Sequence, residues 1–147
     1  MKGKFFRILL LSMLLPLATL AQDVYEIKFI LGVTQYRAAL ILWDNGTGKI
    51  RLRYYARDKT NMVEEYIKAE NTDLGLRLTG YNPVYPGTTT PYPNYIADNF
   101  YLSQDENGRL TCTNIDDKGQ TSACSIRLLN GYSAKQEFLS DFDWKLD

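Results

Sequence analysis

Short runs in which apolar and polar residues alternate constrain the fold of this chain more than any other feature. β-Branched and aromatic residues alternate with polar ones over eight runs, and Gly, Asn and Asp stand between the runs. A period of two is that of a half-buried strand, so the pattern predicts an all-β chain of about eight antiparallel strands. The runs are Val24–Leu31, Gln35–Trp43, Lys49–Ala56, Met62–Ala69, Leu74–Tyr81, Tyr95–Leu102, Arg109–Ile115 and Ala123–Leu129.

Most of the links between these runs are short, which favours an up-and-down meander that closes into a small barrel. Closure would leave no exposed strand edge, although a two-sheet β-sandwich is an alternative that the same alternation would also build. After the last run, Ser133–Gln136 fits a capping box. Phe138 and Phe142, with Leu139 beside them, give a short C-terminal helix one apolar face. We expect this helix to cover an open end of the barrel or one side of the sheet.

In outline, this strand pattern resembles the barrels of lipocalins and related calycins. The first strand, Val24–Phe29, lacks the Gly-x-Trp signature of lipocalins, and the helix follows all eight strands. The resemblance therefore implies a calycin-like shape and no family membership.

The first 21 residues have the pattern of a secretory signal peptide. Three basic residues precede an apolar stretch that runs to Leu20, and small residues lead to a cleavage position after Ala21. Cleavage leaves 126 residues, a length typical of one domain, and changes the formal net charge from 0 to −3. We expect a signal peptide over 1–21, a single β-barrel domain over 22–147, and an exported protein, periplasmic or secreted, that does not insert into the membrane after cleavage.

The chain has no histidine, which removes Ser-His-Asp and Cys-His catalysis and most zinc sites. Its mildly acidic charge without a basic stripe argues against nucleic acid as a partner. A histidine-free hydrolase that uses two carboxylates stays open, but no acidic pair stands out by its spacing. We therefore expect no enzymatic activity and no cofactor.

Strand register follows from matching the apolar faces of neighbouring runs. Around the turn Asp44–Gly48, the two faces coincide when Leu42 is opposite Ile50 and Leu40 is opposite Leu52. In the fourth run, Met62–Ala69, both faces mix apolar and acidic residues, so the pattern leaves its inward face open.

The same matching in the last hairpin places Cys112 directly opposite Cys124. Directly opposed residues have Cα atoms about 4.5 to 5.5 Å apart, which suits a disulfide, and an exported protein meets an oxidising compartment. The register predicts a disulfide between these cysteines, with two buried thiols as the alternative.

The long connection Asn82–Asn94 is unusual because it holds four of the five prolines of the chain. Proline fixes φ, so the loop is stiff, and tyrosines on a stiff support offer contact area with a polar end. Candidate ligand-binding residues are therefore Tyr81, Tyr85, Tyr92 and Tyr95. The alternative is that these tyrosines plug the barrel end against water.

Alternate connections of a meander lie at opposite ends, so acidic turns gather at the end away from this loop. Tight turns require such residues in any case and no EF-hand spacing occurs, so we expect no metal site there. The acidic residues are Asp44, Glu70, Asp73, Asp105 and Glu106.

Three arginines, Arg37, Arg51 and Arg53, fall on the outward faces of neighbouring strands. Glu64 or Glu65 on the next strand could pair with them, so we expect a solvated sheet face with cross-strand ion pairs. An anion site is the alternative.

Two hypotheses of function follow. The first is an exported, non-enzymatic binding module that holds a small apolar molecule, a glycan or a peptide at the tyrosine- and proline-rich loop. The second is a structural or protein-interaction domain of the cell envelope, with a filled barrel and no ligand. A large cavity beneath Tyr85 and Tyr92 would favour the first, and an interior of large side chains alone would favour the second.

Overall fold

The computed structural model describes residues 22–146; the expected signal peptide, residues 1–21, lies outside the described residues, as does Asp147. Each strand pairs antiparallel with the next in the chain, and the first pairs with the last, so the sheet is a closed barrel. The predicted barrel is confirmed and the sandwich alternative is wrong. The elements are β1 (Gln22–Leu31), β2 (Thr34–Trp43), β3 (Thr47–Ala56), β4 (Lys59–Thr72), β5 (Gly75–Val84), β6 (Asp98–Gln104), β7 (Leu110–Asp116), β8 (Thr121–Leu129) and α1 (Tyr132–Ser140).

Every second side chain of the strands points into the barrel and forms one hydrophobic core. Large apolar side chains fill most of the interior, so the barrel is a packed core over much of its length. Those with almost no exposed surface include Ile27, Phe29, Leu40, Ile50, Leu52, Val63, Ile67, Leu78 and Phe100.

The turn between β2 and β3 is shorter than predicted, and this changes the register. The predicted pairing of Leu42 with Ile50 is wrong by two residues. Leu42 is opposite Gly48, and Ile50 is opposite Leu40. Gly46, at φ 82°, donates its N–H to the Trp43 carbonyl at 3.3 Å and closes a tight turn, so that Thr47 and Gly48 belong to β3. A shift of two residues keeps both apolar faces inward, which is why face matching did not detect it.

Cys112 on β7 is directly opposite Cys124 on β8, and the two form a disulfide with their Cα atoms 5.2 Å apart. The predicted pairing is confirmed. The bond joins two neighbouring strands close to the point where the barrel closes between β8 and β1.

The helix α1 lies on the outer wall of the barrel, so the second of its two expected positions is confirmed. Phe138 and Leu139 are buried in a second apolar cluster, outside the barrel, that includes Val24, Ile41 and Leu129. The predicted capping box is wrong, since the residue before the helix is a glycine at φ 86° and no side chain caps the helix start. No helix within residues 22–146 is long and apolar enough to cross a membrane.

The outward arginines anchor the chain that follows α1. Arg51 pairs with Glu64, from Nε to Oε1, at 2.9 Å. Arg51 Nη1 also donates to the backbone carbonyls of Phe142 and Asp143, at 2.9 and 2.8 Å. The Arg51 guanidinium lies over the Trp144 ring, 4.7 Å from its centroid. One buried cation thus joins β3, β4 and the C-terminal segment.

The neighbouring arginines repeat this arrangement nearer to solvent. Arg37 pairs with Glu26 at 2.8 Å and with Asp141 at 3.1 Å, while Arg53 donates to the Asp141 carbonyl at 3.1 Å. The predicted cross-strand ion pairs are therefore present, but the expectation of a solvated face is wrong for Arg51, which is 7% exposed.

Substitution of Arg51 tests this anchor. Arg51→Ala leaves Glu64, which is 2% exposed, as a buried charge without a partner, and we expect a loss of about 3–5 kcal/mol in the free energy of unfolding. Arg53→Ala removes one exposed contact to the same segment and should cost less than about 1 kcal/mol. Urea unfolding of both variants measures the difference; equal losses would contradict the role given to Arg51.

The disulfide gives a second test of the fold. Replacing both cysteines by alanine frees a short loop, and the chain-entropy relation gives a loss of about 3 kcal/mol in the free energy of unfolding. Guanidinium unfolding of the oxidised protein and of the double variant measures this loss. Alkylation before and after reduction, read by mass spectrometry, provides the control, because the oxidised chain should take up no label.

Candidate functional site at the barrel mouth

The long connection between β5 and β6 folds over one end of the barrel, which we call the mouth. Val84 at the end of β5 forms a bridge with Pro91, and Tyr92 donates its N–H to the Pro83 carbonyl at 2.9 Å. The connection therefore spans residues 85–97 and begins and ends about three residues later than the predicted Asn82–Asn94. Its internal hydrogen bonds hold the tyrosines in place.

Three of the four candidate tyrosines meet at the mouth. The rings of Tyr85 and Tyr92 are 4.7 Å apart and those of Tyr92 and Tyr95 are 6.0 Å apart, measured between centroids. Tyr81 lies elsewhere, because it points outward from β5 and stacks on Tyr66 at 5.7 Å.

Two further tyrosines, from the barrel itself, complete the aromatic group. Tyr54 is 5.8 Å from Tyr95 and 5.0 Å from Tyr36, and its hydroxyl is 3.5 Å from that of Tyr92. By the strand period, Tyr36 shares the inward face of Leu40 and Tyr54 that of Leu52, but the sequence pattern did not identify these tyrosines as site residues. Their position at the mouth ends of β2 and β3 is the signal that could have found them.

Beneath the loop lies a pocket of about 550 Å³. Its walls combine aromatic rings with polar groups, and two buried acids, Asp98 and Asp116, are among the lining residues. The lining consists of Leu31, Tyr36, Tyr54, Ala56, Arg57, Lys59, Asn61, Tyr85, Tyr92, Pro93, Asn94, Tyr95, Ile96, Asp98, Asp116 and Gln120.

Asp98 and Asp116 line the pocket, and the buried side chains of Glu65 and Asn114 form hydrogen bonds with Asp98; we call these four residues the acidic floor. Asp98 accepts hydrogen bonds from the Tyr95 hydroxyl at 2.7 Å and from Asn114 Nδ2 at 3.2 Å. The Asp98 backbone N–H in turn donates to the carboxylate of Glu65, at 3.2 Å for Oε1. Glu65 and Asp98 are 0% and 2% exposed.

Glu65 reaches the interior because β4 and β5 make space for it. Its register position settles the face that the sequence left open, since Val63, Glu65 and Ile67 all point inward. A bulge between Glu64 and Tyr66 interrupts the pairing with β5 at this point. A Cβ on Gly80 would overlap Glu65 Oε2 and the Asp98 carbonyl oxygen, so only glycine fits there.

Two buried acids of the floor, Glu65 and Asp98, have no paired cation in the part of the chain that the structure describes. The amide oxygen of Asn114, beside Asp98, is buried and accepts no hydrogen bond. The hydrogen bonds to these two acids therefore come from neutral groups: the Tyr95 hydroxyl, the Asn114 amide and the Asp98 backbone.

Burial changes the protonation of this floor. Loss of solvent raises the pKa of Asp98 to about 6, with the nearby Asp116 and Asp117 adding to the rise. Burial, followed by the charge of Asp98, raises the pKa of Glu65 well above its usual value. Because the two carboxyl groups interact, they share protons as a pair.

A larger depression, of about 800 Å³, lies on the outer wall of the barrel. Its lining includes Lys28, Ile30, Gln35, Tyr55 and Ser125, but no carboxylate and no residue of the proline-rich loop. Tyr36 and Tyr54 line both cavities, but the mouth pocket is the better candidate because the tyrosines of the loop and the buried acids line it and not the depression.

Within residues 22–146, no group of three or more cysteine, aspartate or glutamate side chains is arranged to hold a metal ion. No family model, curated protein or solved structure matches this chain. The site is therefore interpreted from its own geometry.

The raised pKa of Asp98 predicts a pH dependence of stability. The folded protein binds the proton more tightly than the unfolded chain, so this group adds stability as the pH falls through about 6 and removes it as the pH rises. Between pH 7 and pH 4.5 the gain should be about 2 kcal/mol in the free energy of unfolding. Asp98→Asn should remove the part of the gain that Asp98 contributes and leave the part that comes from Glu65, whose pKa is also raised, as measured by urea unfolding at both values.

Asp73→Asn provides the matched control, because Asp73 is an exposed carboxylate in the turn at the opposite end of the barrel. This variant should follow the wild type at both pH values. An unchanged pH dependence in Asp98→Asn would show that Asp98 ionises as it would in water.

Proposed function

We propose that this protein is an exported, non-enzymatic binding module that holds a small ligand in the mouth pocket. The observation that carries the proposal is the convergence, around a pocket of about 550 Å³, of tyrosines from the loop and from the barrel above an acidic floor. Pockets with aromatic walls and a few convergent polar groups are typical of small-molecule sites.

The packed interior limits the size and position of the ligand. Phe29 and Phe100 lie in edge-to-face contact inside the barrel, 5.6 Å apart, among the fully packed apolar side chains. The ligand would therefore lie at the mouth, between the loop and the floor, without entering the barrel deeply. The prolines of the loop reduce the entropy lost when it closes on a ligand.

Export is supported by two features. Residues 1–21 have the pattern of a signal peptide, and the disulfide between Cys112 and Cys124 is of the kind that persists in oxidising compartments. We propose a periplasmic or secreted location on this basis.

Binding without catalysis is proposed because of how the acids are buried. Glu65 and Asp98 are neighbours, as a carboxylate pair of a hydrolase would be. A hydrolase, however, places the scissile bond between its two carboxyl groups, and Glu65 has no exposed surface that a substrate could reach.

A second candidate function is a protein-interaction domain of the cell envelope. Large apolar side chains are exposed at the mouth and on the adjoining outer wall: Ile30 is 54%, Val33 99% and Tyr55 64% exposed. These residues could dock another protein whether or not the pocket is filled.

Two matched tyrosines test the proposal. Tyr85 and Tyr81 are 43% and 45% exposed and the ring of each packs against another tyrosine, but Tyr85 lines the pocket and Tyr81 does not. Native mass spectrometry of protein from its natural compartment should reveal a bound small molecule that Tyr85→Ala loses and Tyr81→Ala keeps. Both variants should melt within a few degrees of the wild type.

The wild type carrying no ligand, or equal retention by both variants, would contradict binding at the mouth. A collapse of the melting temperature in Tyr85→Ala would show that this tyrosine is a structural plug.

A further inference from the structure

We propose that the mouth pocket recognises a primary ammonium group, carried by a small apolar or aromatic molecule, at the acidic floor around Asp98. This inference rests on the proposed function and names the chemical class of its ligand.

The first support is the missing positive charge. Glu65 and Asp98 are almost completely buried and have no lysine or arginine partner within the described chain. A buried carboxylate is costly unless a proton or a cation compensates it. An ammonium group entering from the pocket would supply that charge at Asp98, which lines the pocket.

The second support is the excess of hydrogen-bond acceptors. Each carboxylate oxygen of Asp98, the acid that lines the pocket, accepts one hydrogen bond, from Tyr95 or from Asn114, and keeps a free lone pair. A primary ammonium carries three donors and no acceptor, so it complements such a floor. A hydroxyl brings one donor and adds acceptor lone pairs, and therefore fits it less well.

The third support is the aromatic wall above the floor. The ring centroid of Tyr95 lies 5.8 Å from that of Tyr54 and 6.0 Å from that of Tyr92. The face of a tyrosine ring attracts a cation within about 6 Å of its centroid, and the rings also accept the apolar body of the ligand.

The outer part of the pocket carries two cations, Arg57 and Lys59. Both side chains are exposed, so solvent screens their charge from the inner end of the pocket. These two cations therefore do not compensate the charge of the buried acids. For this reason we place the positive group of the ligand at the floor.

Probes that differ only in charge test this inference. Benzylammonium and benzyl alcohol have nearly the same shape, and each is titrated into the ¹⁵N-labelled protein at pH 7.5 while backbone amide shifts are followed. We expect benzylammonium to shift the amides of Tyr92, Tyr95 and Asp98, with a dissociation constant at least tenfold below that of benzyl alcohol. Asp98→Asn should weaken the amine at least tenfold and leave the alcohol unchanged, whereas Asp73→Asn should change neither.

The inference is overturned if the alcohol binds as tightly as the amine, or if Asp98→Asn binds the amine as tightly as the wild type does. It is also overturned if neither probe shifts the amide signals of the mouth residues. The comparison of the two probes on the wild type needs no variant, so it stands even if Asp98→Asn does not fold. A ligand that depends on Tyr85 but carries no ammonium group would overturn this inference alone, whereas wild-type protein without any bound molecule would overturn the proposed function.

Discussion

Closure of the sheet between β1 and β8 is the constraint on which the rest of the structure depends. Six residue pairs, from Val24 opposite Leu129 to Phe29 opposite Cys124, join the first strand to the last and leave one enclosed interior. Every inward side chain must then fit that interior, including acidic side chains that water would solvate better. Apolar residues fill most of it, and the acidic residues are concentrated at the mouth, where the long loop covers them.

Side chains on the outer wall follow from the same alternation, but several of them are charged. Because Ile50 and Leu52 point inward, Arg51 must point outward, where α1 and the chain after it cover the barrel. Covering a wall that carries arginines requires acceptors, and the carbonyls of Phe142 and Asp143 provide them. The C-terminal part of the chain is thus held by the apolar packing of α1 and, after the helix, by the buried Arg51.

The strands and the disulfide could be predicted from the sequence because both follow from a period of two. A strand that alternates shows which residues share a face, and the turn closed between Asp116 and Gln120 then places Cys112 opposite Cys124. The exact register between β2 and β3 could not be predicted in the same way, because a shift of two residues conserves the faces and only the tight turn at Gly46 decides it.

The candidate site was predicted only in part. The proline-rich loop identified Tyr85, Tyr92 and Tyr95, since stiffness and composition are local properties of the sequence. The acidic floor depends on contacts between distant strands: Glu65 and Asp98 are 33 residues apart in the chain, and the space for Glu65 depends on Gly80 and a bulge. No local pattern contains that information.

A crystal structure of protein isolated from its natural compartment would test the central claim most directly, namely that the mouth is a ligand site with an acidic floor. The account predicts a bound small molecule among the tyrosines, with a donor atom within about 3 Å of the Asp98 carboxylate. Tyrosine rings closed over a mouth that holds only water, with Asp98 contacting nothing but Tyr95 and Asn114, would contradict it.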